Sequence, residues 1–218
     1  DAAGTVTFAN YDANHNTGSV TDVNGNITRY TYDYANRIKT VSTNVGMTTY
    51  DYDAHGNILT VTMPEGNRIV YGYDQANRLT RITDDRGNYM VYVYDNVGNK
   101  TREEIHDTQG SLKKHLDFEY DHFNRLNKIK NPDNSYSAFT YDANGNRTVM
   151  ETVPTNLVTS YAYDELNRLS NVIQAPGTPS EAVTEYQYDA DDNLTLVKDA
   201  AGKITRYRYD DFGRVTDI

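Results

Sequence analysis

The dipeptide Tyr-Asp recurs along the whole chain at a nearly constant interval, and this repeat constrains the fold more than any other feature. Ten copies are separated by 20 to 26 residues, most often by 21. A fixed period over many copies indicates a repeat protein in which each unit packs against its neighbours. We number the repeats 1 to 10 by their Tyr-Asp (YD) pairs, which are Tyr11-Asp12, Tyr32-Asp33, Tyr52-Asp53, Tyr73-Asp74, Tyr94-Asp95, Tyr120-Asp121, Tyr141-Asp142, Tyr163-Asp164, Tyr188-Asp189 and Tyr209-Asp210.

An aromatic residue, here called the companion ring, stands two positions before the YD tyrosine in every repeat except the first, which has Ala9. A spacing of two places both rings on one face of a β-strand, so stacked repeats would align two columns of rings. The chain has 20 tyrosines among 218 residues, and its formal charge is −10. Without packed tyrosines such a composition approaches that of disordered chains, so folding depends on these rings. The companion rings are Tyr30, Tyr50, Tyr71, Tyr92, Phe118, Phe139, Tyr161, Tyr186 and Tyr207.

Two turn signals occur in each repeat. The residue three positions after the repeat Asp is Asn or Gly in eight of ten copies, the exceptions being His15 and Asp192. Asp at the start of a turn accepts hydrogen bonds from following N–H groups, and Asn or Gly tolerates positive φ. Two turns per repeat leave two short strands, which predicts a strand–turn–strand–turn array of antiparallel hairpins. The second signal falls between consecutive YD pairs, at Gly25, Gly46, Gly66, Gly87, Gly110, Asn134, Asn156, Gly177 and Gly202.

The apolar residues of the second strand are spaced so that the sequence does not decide which face of the sheet they lie on. Most repeats have apolar residues six and nine positions after the YD tyrosine, as Ile38 and Val41 follow Tyr32. A flat strand would point these two positions to opposite faces. Either a bulge intervenes or both faces are partly covered, and the sequence leaves both alternatives open.

The residue four positions after the repeat Asp alternates between Asn and Arg without a fault. Two explanations remain open: each Arg could reach carboxylates such as Asp33 or Asp74 on neighbouring strands, or the array was duplicated in pairs of repeats. Exposed ion pairs of this kind contribute about 0–1 kcal/mol each. The series is Asn16, Arg37, Asn57, Arg78, Asn99, Arg125, Asn146, Arg168, Asn193 and Arg214.

Two segments show the repeat pattern in full: Tyr71-Gly-Tyr-Asp-Gln-Ala-Asn-Arg-Leu79 and Phe139-Thr-Tyr-Asp-Ala-Asn-Gly-Asn-Arg147. They resemble the YD repeats of the rearrangement-hot-spot (RHS) family, which includes bacterial polymorphic toxins, insecticidal toxin complex C components and teneurins. The resemblance implies hairpins joined edge to edge in one long sheet that spirals into a hollow shell. In toxin members the shell encloses a C-terminal toxic domain. Core-associated, effector and delivery segments of full-length members have no counterpart in residues 1–218.

The expected fold class is therefore all-β, with tandem antiparallel β-hairpin (YD) repeats in a curved or spiralling sheet, the open arc of a hollow shell. Residues 1–218 are expected to form a single array of about ten repeats with no separate domain. A parallel β-helix is the rival architecture, but two evenly placed turns per repeat favour antiparallel hairpins. The longer repeats have extra residues at 111–116 and 178–184, which predicts lengthened hairpin tips or wider strands.

Composition disfavours several functional classes. Lys and Arg number 21 against 31 Asp and Glu, a balance opposite to that of a general nucleic-acid binder. The absence of cysteine excludes disulfides, Cys-ligated metals and a thiol nucleophile. No stretch approaches the length of an apolar membrane span. Because no catalytic motif is present either, we expect no enzymatic activity and no cofactor.

The candidate binding residues are the histidines, one oxygen-rich run and four glycosylation sequons. His106, His115 and His122 cluster in sequence beside Glu103 and Glu104, but without metal-ligand spacing, and all five histidines, including His15 and His55, are expected to be surface residues. The oxygen-rich run Asp189, Asp191 and Asn193 is a weak calcium candidate, since a distal bidentate Glu is missing. No other metal site is predicted. Four Asn-x-Ser/Thr sequons occur, at Asn26, Asn99, Asn146 and Asn193.

The leading functional hypothesis is a structural, non-enzymatic shell segment of a secreted or cell-surface protein, with a C-terminal polypeptide of the parent protein as its partner. The alternative is a carbohydrate-binding or adhesive module in which rings pack on sugar faces. An enzyme would require turnover that depends on the Glu103 and His106 region. Edge-to-edge self-association is a further expectation, because end strands expose unpaired edges. The possible glycan-facing aromatics are Tyr30, Tyr50, Tyr71, Tyr92, Tyr161, Tyr186 and Tyr207.

Overall fold

The computed structural model describes residues 6–218, so the first five residues of the expected array lie outside the described residues. The described chain consists of β-strands, turns and irregular segments. Across this range, no helix has the length and apolar character needed to cross a membrane. The chain divides into two compact units, of which unit 1 ends at His115 and unit 2 begins at Leu116.

Unit 1 holds ten strands of three to seven residues, and an eleventh begins near its end. The first five are β1 (Thr7–Ala9), β2 (Ser19–Thr21), β3 (Ile27–Tyr32), β4 (Ile38–Thr43) and β5 (Gly46–Tyr52). The next five are β6 (Ile58–Thr62), β7 (Arg68–Tyr73), β8 (Leu79–Thr83), β9 (Tyr89–Tyr94) and β10 (Lys100–His106). Each of β1 to β9 pairs antiparallel with the next strand in the chain.

Unit 2 repeats this meander. Its strands are β11 (Leu112–Tyr120, which starts before the boundary), β12 (Leu126–Lys130), β13 (Tyr136–Tyr141), β14 (Arg147–Val153), β15 (Leu157–Tyr163), β16 (Leu169–Gln174), β17 (Ala182–Tyr188), β18 (Leu194–Lys198), β19 (Ile204–Arg206), β20 (Arg208–Tyr209) and β21 (Val215–Asp217). Strands β11 to β19 pair consecutively and antiparallel, and β20 pairs with β21. The prediction of antiparallel hairpins is confirmed, and the β-helix alternative is wrong.

A β-bulge in the hairpins that carry the YD tyrosines places the two apolar residues of the second strand on the same face of the sheet. In β3 and β4, Tyr30 lies opposite Val41, whereas Tyr32 lies opposite Ile38, and Lys39 is the extra residue. The odd separation of positions six and nine is absorbed by this residue, so both apolar side chains face the two rings. Of the two alternatives left open, the bulge is the one observed, and the same register shift occurs in the later YD hairpins.

The face that carries the YD tyrosines and companion rings is here called the ring face. On it, Tyr50 lies opposite Val61 and Tyr71 lies opposite Ile82. Aromatic rings opposite β-branched residues stabilise a sheet by about 0.2–1 kcal/mol per pair. The register therefore places the aromatic and aliphatic residues of a repeat opposite one another as cross-strand pairs.

The hydroxyl of most YD tyrosines joins a repeat to the preceding one. Tyr52 donates to the Ile38 carbonyl at 2.7 Å, and Tyr73 donates to the Ile58 carbonyl at 3.0 Å. Equivalent bonds, always to the residue six positions after the preceding YD tyrosine, are made by Tyr32, Tyr94, Tyr141, Tyr163, Tyr188 and Tyr209. Burial raises the pKa of Tyr52 and Tyr73, which keeps these hydroxyls protonated as donors.

The sheet has no conventional core. Among residues 6–218, no hydrophobic side chain is fully buried, and the two buried residues are Ser19 and Thr60. The YD tyrosines from repeat 2 onward and all the companion rings are half-buried. Stability must therefore come from pairwise contacts between neighbouring strands and turns, as expected for a quasi-one-dimensional array.

The connecting turns follow the predicted residues. All nine Gly and Asn residues of the second turn signal have positive φ, from 50° at Asn156 to 137° at Gly46. The two long repeats accommodate their extra residues differently. Residues 112–120 form the nine-residue strand β11, while the insertion near Thr178 forms an irregular loop. A wider strand and a longer tip, the two expectations, are thus each realised once.

Removing the hydroxyl of a YD tyrosine should weaken the array more than removing that of its companion ring. Tyr73→Phe deletes a hydrogen bond to the Ile58 carbonyl and should lower the free energy of unfolding by about 0.5–1.5 kcal/mol. Tyr71→Phe, in the same strand, is the control, because its hydroxyl makes no hydrogen bond within residues 6–218. Urea unfolding followed by circular dichroism measures both, and equal losses would contradict the assignment.

Candidate functional site

The YD turns follow one another along an edge of each unit, and this row of turns is here called the turn ladder. In repeat 3 the Asp53 N–H donates to the Asn57 carbonyl at 2.9 Å, and the Gly56 N–H donates back to the Asp53 carbonyl at 3.2 Å. Asp53 Oδ1 accepts from the N–H groups of His55 and Asn57, and its Oδ2 accepts from the Asn57 side chain at 2.9 Å. One carboxylate thus closes the whole turn.

In alternate turns an arginine replaces this asparagine and reaches into the next repeat. Arg78 Nε donates to Asp74 Oδ2 at 2.7 Å, while Nη1 donates to the Asp95 carbonyl of repeat 5 at 3.2 Å. The guanidinium also lies over the Tyr94 ring, 4.8 Å from its centroid. The next turn has Gly98 beside it, where the φ of 100° favours glycine and an added Cβ would lie at an ordinary contact distance of 3.9 Å from Nη1. We call this an Arg turn, and the preceding type an Asn turn.

Asn turns also reach forward, but to a different partner. Asn57 Nδ2 donates to the side-chain Oδ1 of Asn77 at 3.0 Å, and Asn77 holds the positive-φ position of the following Arg turn. The same contact joins Asn16 to Asn36 and Asn146 to Asn167. Asn suits this position because it tolerates positive φ and also supplies an acceptor.

The alternation of Asn and Arg therefore has a physical basis. Arg turns that follow Asn turns place Asn at positive φ to receive the incoming amide at Asn36, Asn77 and Asn167, whereas the Arg turn of repeat 10 has Gly213 there. Asn turns have Gly at the positive-φ position, as at Gly56, Gly98 and Gly145. Each of these three turns follows an Arg turn. Repeat 9 uses Asp192 instead, which binds Arg168 Nη1 at 2.7 Å.

One detail of the sequence hypothesis needs correction. The arginines do contact Asp33 and Asp74, but each carboxylate belongs to the turn that contains the arginine, four residues earlier. Their contact with the next repeat is to a backbone carbonyl. The geometry requires this, because the turn already brings the first and fifth residues together.

These hydrogen bonds stabilise the ionised carboxylates. The side-chain hydrogen bond from Asn57 lowers the pKa of Asp53, and that from Arg37 lowers the pKa of Asp33. A carboxylate with a lowered folded-state pKa stabilises the fold above its unfolded pKa, near 3.8. This contribution is lost as the pH falls through the lower, folded-state pKa, so the turn ladder is acid-sensitive.

The two ring columns differ chemically. Eight YD tyrosines direct their hydroxyls to backbone carbonyls of the preceding repeat, as described under the overall fold. In contrast, the described chain offers no hydrogen-bond partner to the hydroxyls of Tyr30, Tyr50, Tyr71, Tyr161, Tyr186 and Tyr207. Tyr92 has only a long contact to Met90 Sδ, at 3.9 Å. Of the two ring columns, the companion column therefore has most of the hydroxyls that are available to an outside molecule.

The histidine and glutamate residues near the long strand make local contacts. Both nitrogens of His106 face acceptors, with Nε2 2.9 Å from Glu104 Oε2 and Nδ1 3.1 Å from the Gly110 carbonyl. The bond to Glu104 raises the pKa of His106, and its ring stacks on Tyr89 at 4.6 Å. Glu103 forms an ion pair with Lys100 at 2.7 Å.

The remaining histidines are apart from this cluster in the chain. His15 and His55 lie in YD turns, His115 lies in β11, and the ring of His122 contacts that of Phe123 at 3.9 Å. Nowhere in residues 6–218 do three or more His, Asp or Glu side chains converge as a metal would require.

The calcium candidate and the sequons coincide with turn hydrogen bonds. Asp189 Oδ1 accepts from the N–H groups of Asp191 and Asn193, while Oδ2 accepts from Asn193 Nδ2 at 3.1 Å. Asn193 thus presents a donor where a calcium ligand would present oxygen, and calcium binding here stays a prediction. The side-chain nitrogens of Asn26, Asn99 and Asn146, to which an N-linked glycan would attach, likewise donate to turn carboxylates.

Arg78→Lys should destabilise the array more than Arg214→Lys. Lysine keeps the charge beside the turn carboxylate but cannot also reach the next turn with a planar fork. Arg78 contacts repeat 5, whereas Arg214 lies in the last repeat and has no following turn among the described residues. We expect the Tm to fall by about 2–4 °C for Arg78→Lys, the loss of one net hydrogen bond, and by less for Arg214→Lys in dilute solution. Equal shifts would show that the inter-repeat contact is unimportant.

Comparison with known proteins agrees with the repeat architecture. The family model RHS Repeat matches residues 11–49, 52–89 and 188–218, together about half of the chain. No curated protein matches the sequence.

Three solved structures show the level of similarity found. The crystal structure of TcdB2-TccC3 without the hypervariable C-terminal region is 15% identical with a TM-score of 0.49, and the match covers 99% of this chain and 16% of that one. The Photorhabdus luminescens Tc holotoxin pore is 12% identical with a TM-score of 0.44, covering 96% and 15%. A porin-like protein from Bacteroides uniformis is 13% identical with a TM-score of 0.39, covering 98% and 92%.

The family assignment rests on the sequence model and on the turns. The matched segments contain YD turns with the same carboxylate-closed geometry that recurs between residues 89 and 188, at Asp95, Asp121, Asp142 and Asp164. The described repeats therefore share one architecture, and the chain belongs to the RHS repeat family.

Proposed function

We propose that the chain is a structural wall segment of an RHS-type shell, whose ring face contains or presents a C-terminal polypeptide in the parent protein. The chain spans about a sixth of the length of the TccC3-containing chains it matches. Cargo, delivery and a secreted or cell-surface location are therefore parts of this proposal. The segment itself would perform no chemistry, and its role is to form and hold a sheet.

The observation that carries the proposal is a strongly hydrogen-bonded sheet with no covering layer. Among residues 6–218, no hydrophobic side chain is fully buried, and the rings with their aliphatic partners remain half-exposed on one face. A face on which many aromatic and aliphatic side chains stay half-exposed usually marks a site of interaction. A polypeptide held unfolded exposes apolar side chains that such a face can cover.

The turn ladder supplies the rigidity that a wall needs. Side-chain bonds such as Arg37 Nη1 to the Asp53 carbonyl, at 3.1 Å, join one hairpin to the next. Together with the tyrosine hydroxyl bonds, they fix the spacing of neighbouring repeats at the turn edge. A sheet fastened in this way can stay folded while one of its faces contacts a variable partner.

Cysteine labelling tests the proposal cleanly because the chain contains no cysteine. Thr28→Cys places a thiol on the ring face of β3, beside Tyr30, and Thr31→Cys places one on the opposite face of the same strand. In the isolated 218-residue chain both thiols should react with a maleimide. In the full-length parent protein, Thr28→Cys should become protected while Thr31→Cys remains reactive.

Denaturation should restore labelling at Thr28→Cys in the parent protein. Equal reactivity at both positions in the folded parent protein would overturn the proposal that the ring face is the covered one.

A carbohydrate-binding role is the second candidate, favoured by one observation. The companion-ring hydroxyls of Tyr30, Tyr50 and Tyr71 make no hydrogen bond within the described chain, so ring and hydroxyl are both available to a sugar. Stacking on a sugar requires an aromatic ring, whereas covering an unfolded polypeptide requires only apolar area.

A triple Tyr→Leu substitution at Tyr30, Tyr50 and Tyr71 separates the two roles. Glycan-array binding by the wild-type chain that disappears in this variant, with the circular dichroism spectrum retained, would establish the carbohydrate role. Absence of wild-type binding across the array would remove it.

A further inference from the structure

We propose that Arg147 is a specificity-determining anchor on the ring face, where it binds a carboxylate of the polypeptide that covers this face in the parent protein. The covering segment is therefore expected to carry an Asp or Glu side chain among apolar residues. This inference rests on the proposed function, because it names the chemistry of the partner that the ring face would contain or present.

Arg147 occupies a position that is apolar in most repeats. It stands six residues after Tyr141 and lies opposite it in the register of β13 and β14, which places it on the ring face. The same position holds Ile, Leu or Val in seven repeats. Within strands β12 to β18, Arg147 is the one charged residue on the ring face, since the others, such as Glu185 and Lys198, lie on the opposite face.

The side chain of Arg147 contacts aromatic rings rather than a carboxylate. Its guanidinium lies 4.6 Å from the centroid of the Tyr161 ring and 5.8 Å from that of the Phe139 ring, both within the reach of a cation–π interaction. These two companion rings stand on the strands on either side of β14. Within residues 6–218 the guanidinium makes no ion pair and no hydrogen bond, so its N–H donors have no partner in the chain.

Repeat 5 also has a cation at this position, and there the array supplies the counter-ion itself. Lys100 stands six residues after Tyr94, and its Nζ lies 5.3 Å from the centroid of the companion ring of Tyr92. The same Nζ pairs at 2.7 Å with Glu103, which stands nine residues after Tyr94. Repeat 7 has a methionine nine residues after its YD tyrosine. A counter-ion for Arg147 must therefore come from a molecule that lies on the ring face.

Covering the ring face makes such a counter-ion necessary. In the open sheet Arg147 is half-buried and water can hydrate its guanidinium, whereas a layer laid over Phe139 and Tyr161 would remove that water. A buried charge without a partner is strongly unfavourable, and a carboxylate offsets this cost by accepting two parallel hydrogen bonds from the planar guanidinium. A polypeptide with an acidic residue at this point should therefore bind more tightly than one without it.

A polypeptide suits the surroundings of Arg147 better than an acidic sugar does. Stacking on a sugar requires an open ring face, but the guanidinium already lies over the Tyr161 ring, and Phe139 has no hydroxyl for a sugar to bind. Met150 lies opposite Phe139 in the register and adds an adaptable apolar surface for peptide side chains. The acidic sugar is therefore treated as an alternative outcome of the test.

Two peptides that differ in one residue test the proposal on the 218-residue chain. Both have blocked termini and alternating Leu and Ser residues, and the central residue is Glu in one peptide and Gln in the other. By isothermal titration calorimetry, the wild-type chain should bind the Glu peptide about tenfold more tightly than the Gln peptide, the contribution of one charge-assisted hydrogen bond.

Three variants locate the source of this preference. Arg147→Leu should remove the preference and keep the fold, because Leu stands at the same position in repeats 4, 6, 8 and 9. Arg147→Lys should retain a smaller preference, since lysine keeps the charge without the planar fork. Lys128→Leu is the matched control, because it removes a cation 4.7 Å from the Tyr136 ring centroid on the opposite face, and it should leave the preference unchanged. Circular dichroism checks that each variant is folded.

The outcomes distinguish this inference from the function on which it rests. Equal binding of the two peptides to the wild-type chain would overturn the role of Arg147 while the ring face remains an apolar binding surface. Binding of neither peptide would contradict the proposed function, and this inference with it. Tetragalacturonic acid is the third probe, since it presents carboxylates on sugars. If it bound in an Arg147-dependent manner while neither peptide bound, the site would be one for acidic sugars and the proposal of a polypeptide partner would be wrong.

Discussion

The carboxylate of the repeat aspartate is the interaction on which the rest of the structure depends. In each YD turn it accepts two backbone N–H groups and one side-chain donor, as Asp53 does from His55 and Asn57. This closes the turn in one geometry and holds the fifth residue, Asn or Arg, in a fixed direction. The direction then decides whether that side chain meets the following repeat. Turn closure and inter-repeat contact are thus two results of one set of hydrogen bonds.

A sheet without a buried core needs such local connections. The conformational entropy lost on ordering each residue must be offset by contacts with adjacent strands, because no second layer contributes burial. Tyrosine serves this purpose well, since its ring pairs with an aliphatic residue across the strand while the hydroxyl of the YD member reaches a backbone carbonyl. The same property leaves the rings half-exposed on one face, which links the stability of the sheet to the function proposed for that face.

Much of the fold followed from spacing and residue type. The period of the YD pairs indicated the hairpins, and the Asn and Gly positions indicated where φ is positive, including Asn36 and Gly56. The candidate site was only partly predictable. The pattern of Asn and Arg was visible, but its partners were not, because Arg78 and the Asp95 carbonyl are 17 residues apart and meet only when strands pair in register. The division of the rings into a backbone-bonded column and an available column also required the hydroxyl contacts.

The sequence by itself determined that the chain is an antiparallel array, since a period-two ring pair and two turns per repeat are local properties of the backbone. Only the tertiary structure decided which face the second strand presents. Ile38 and Val41 are separated by an odd number of residues, and their common orientation depends on the bulge at Lys39. It also decided what the alternating Asn and Arg side chains contact, because their partners lie in the neighbouring turn. The physical cause is the same in both cases: hydrogen bonds between strands set the register, and register is a relation between segments that no single segment encodes.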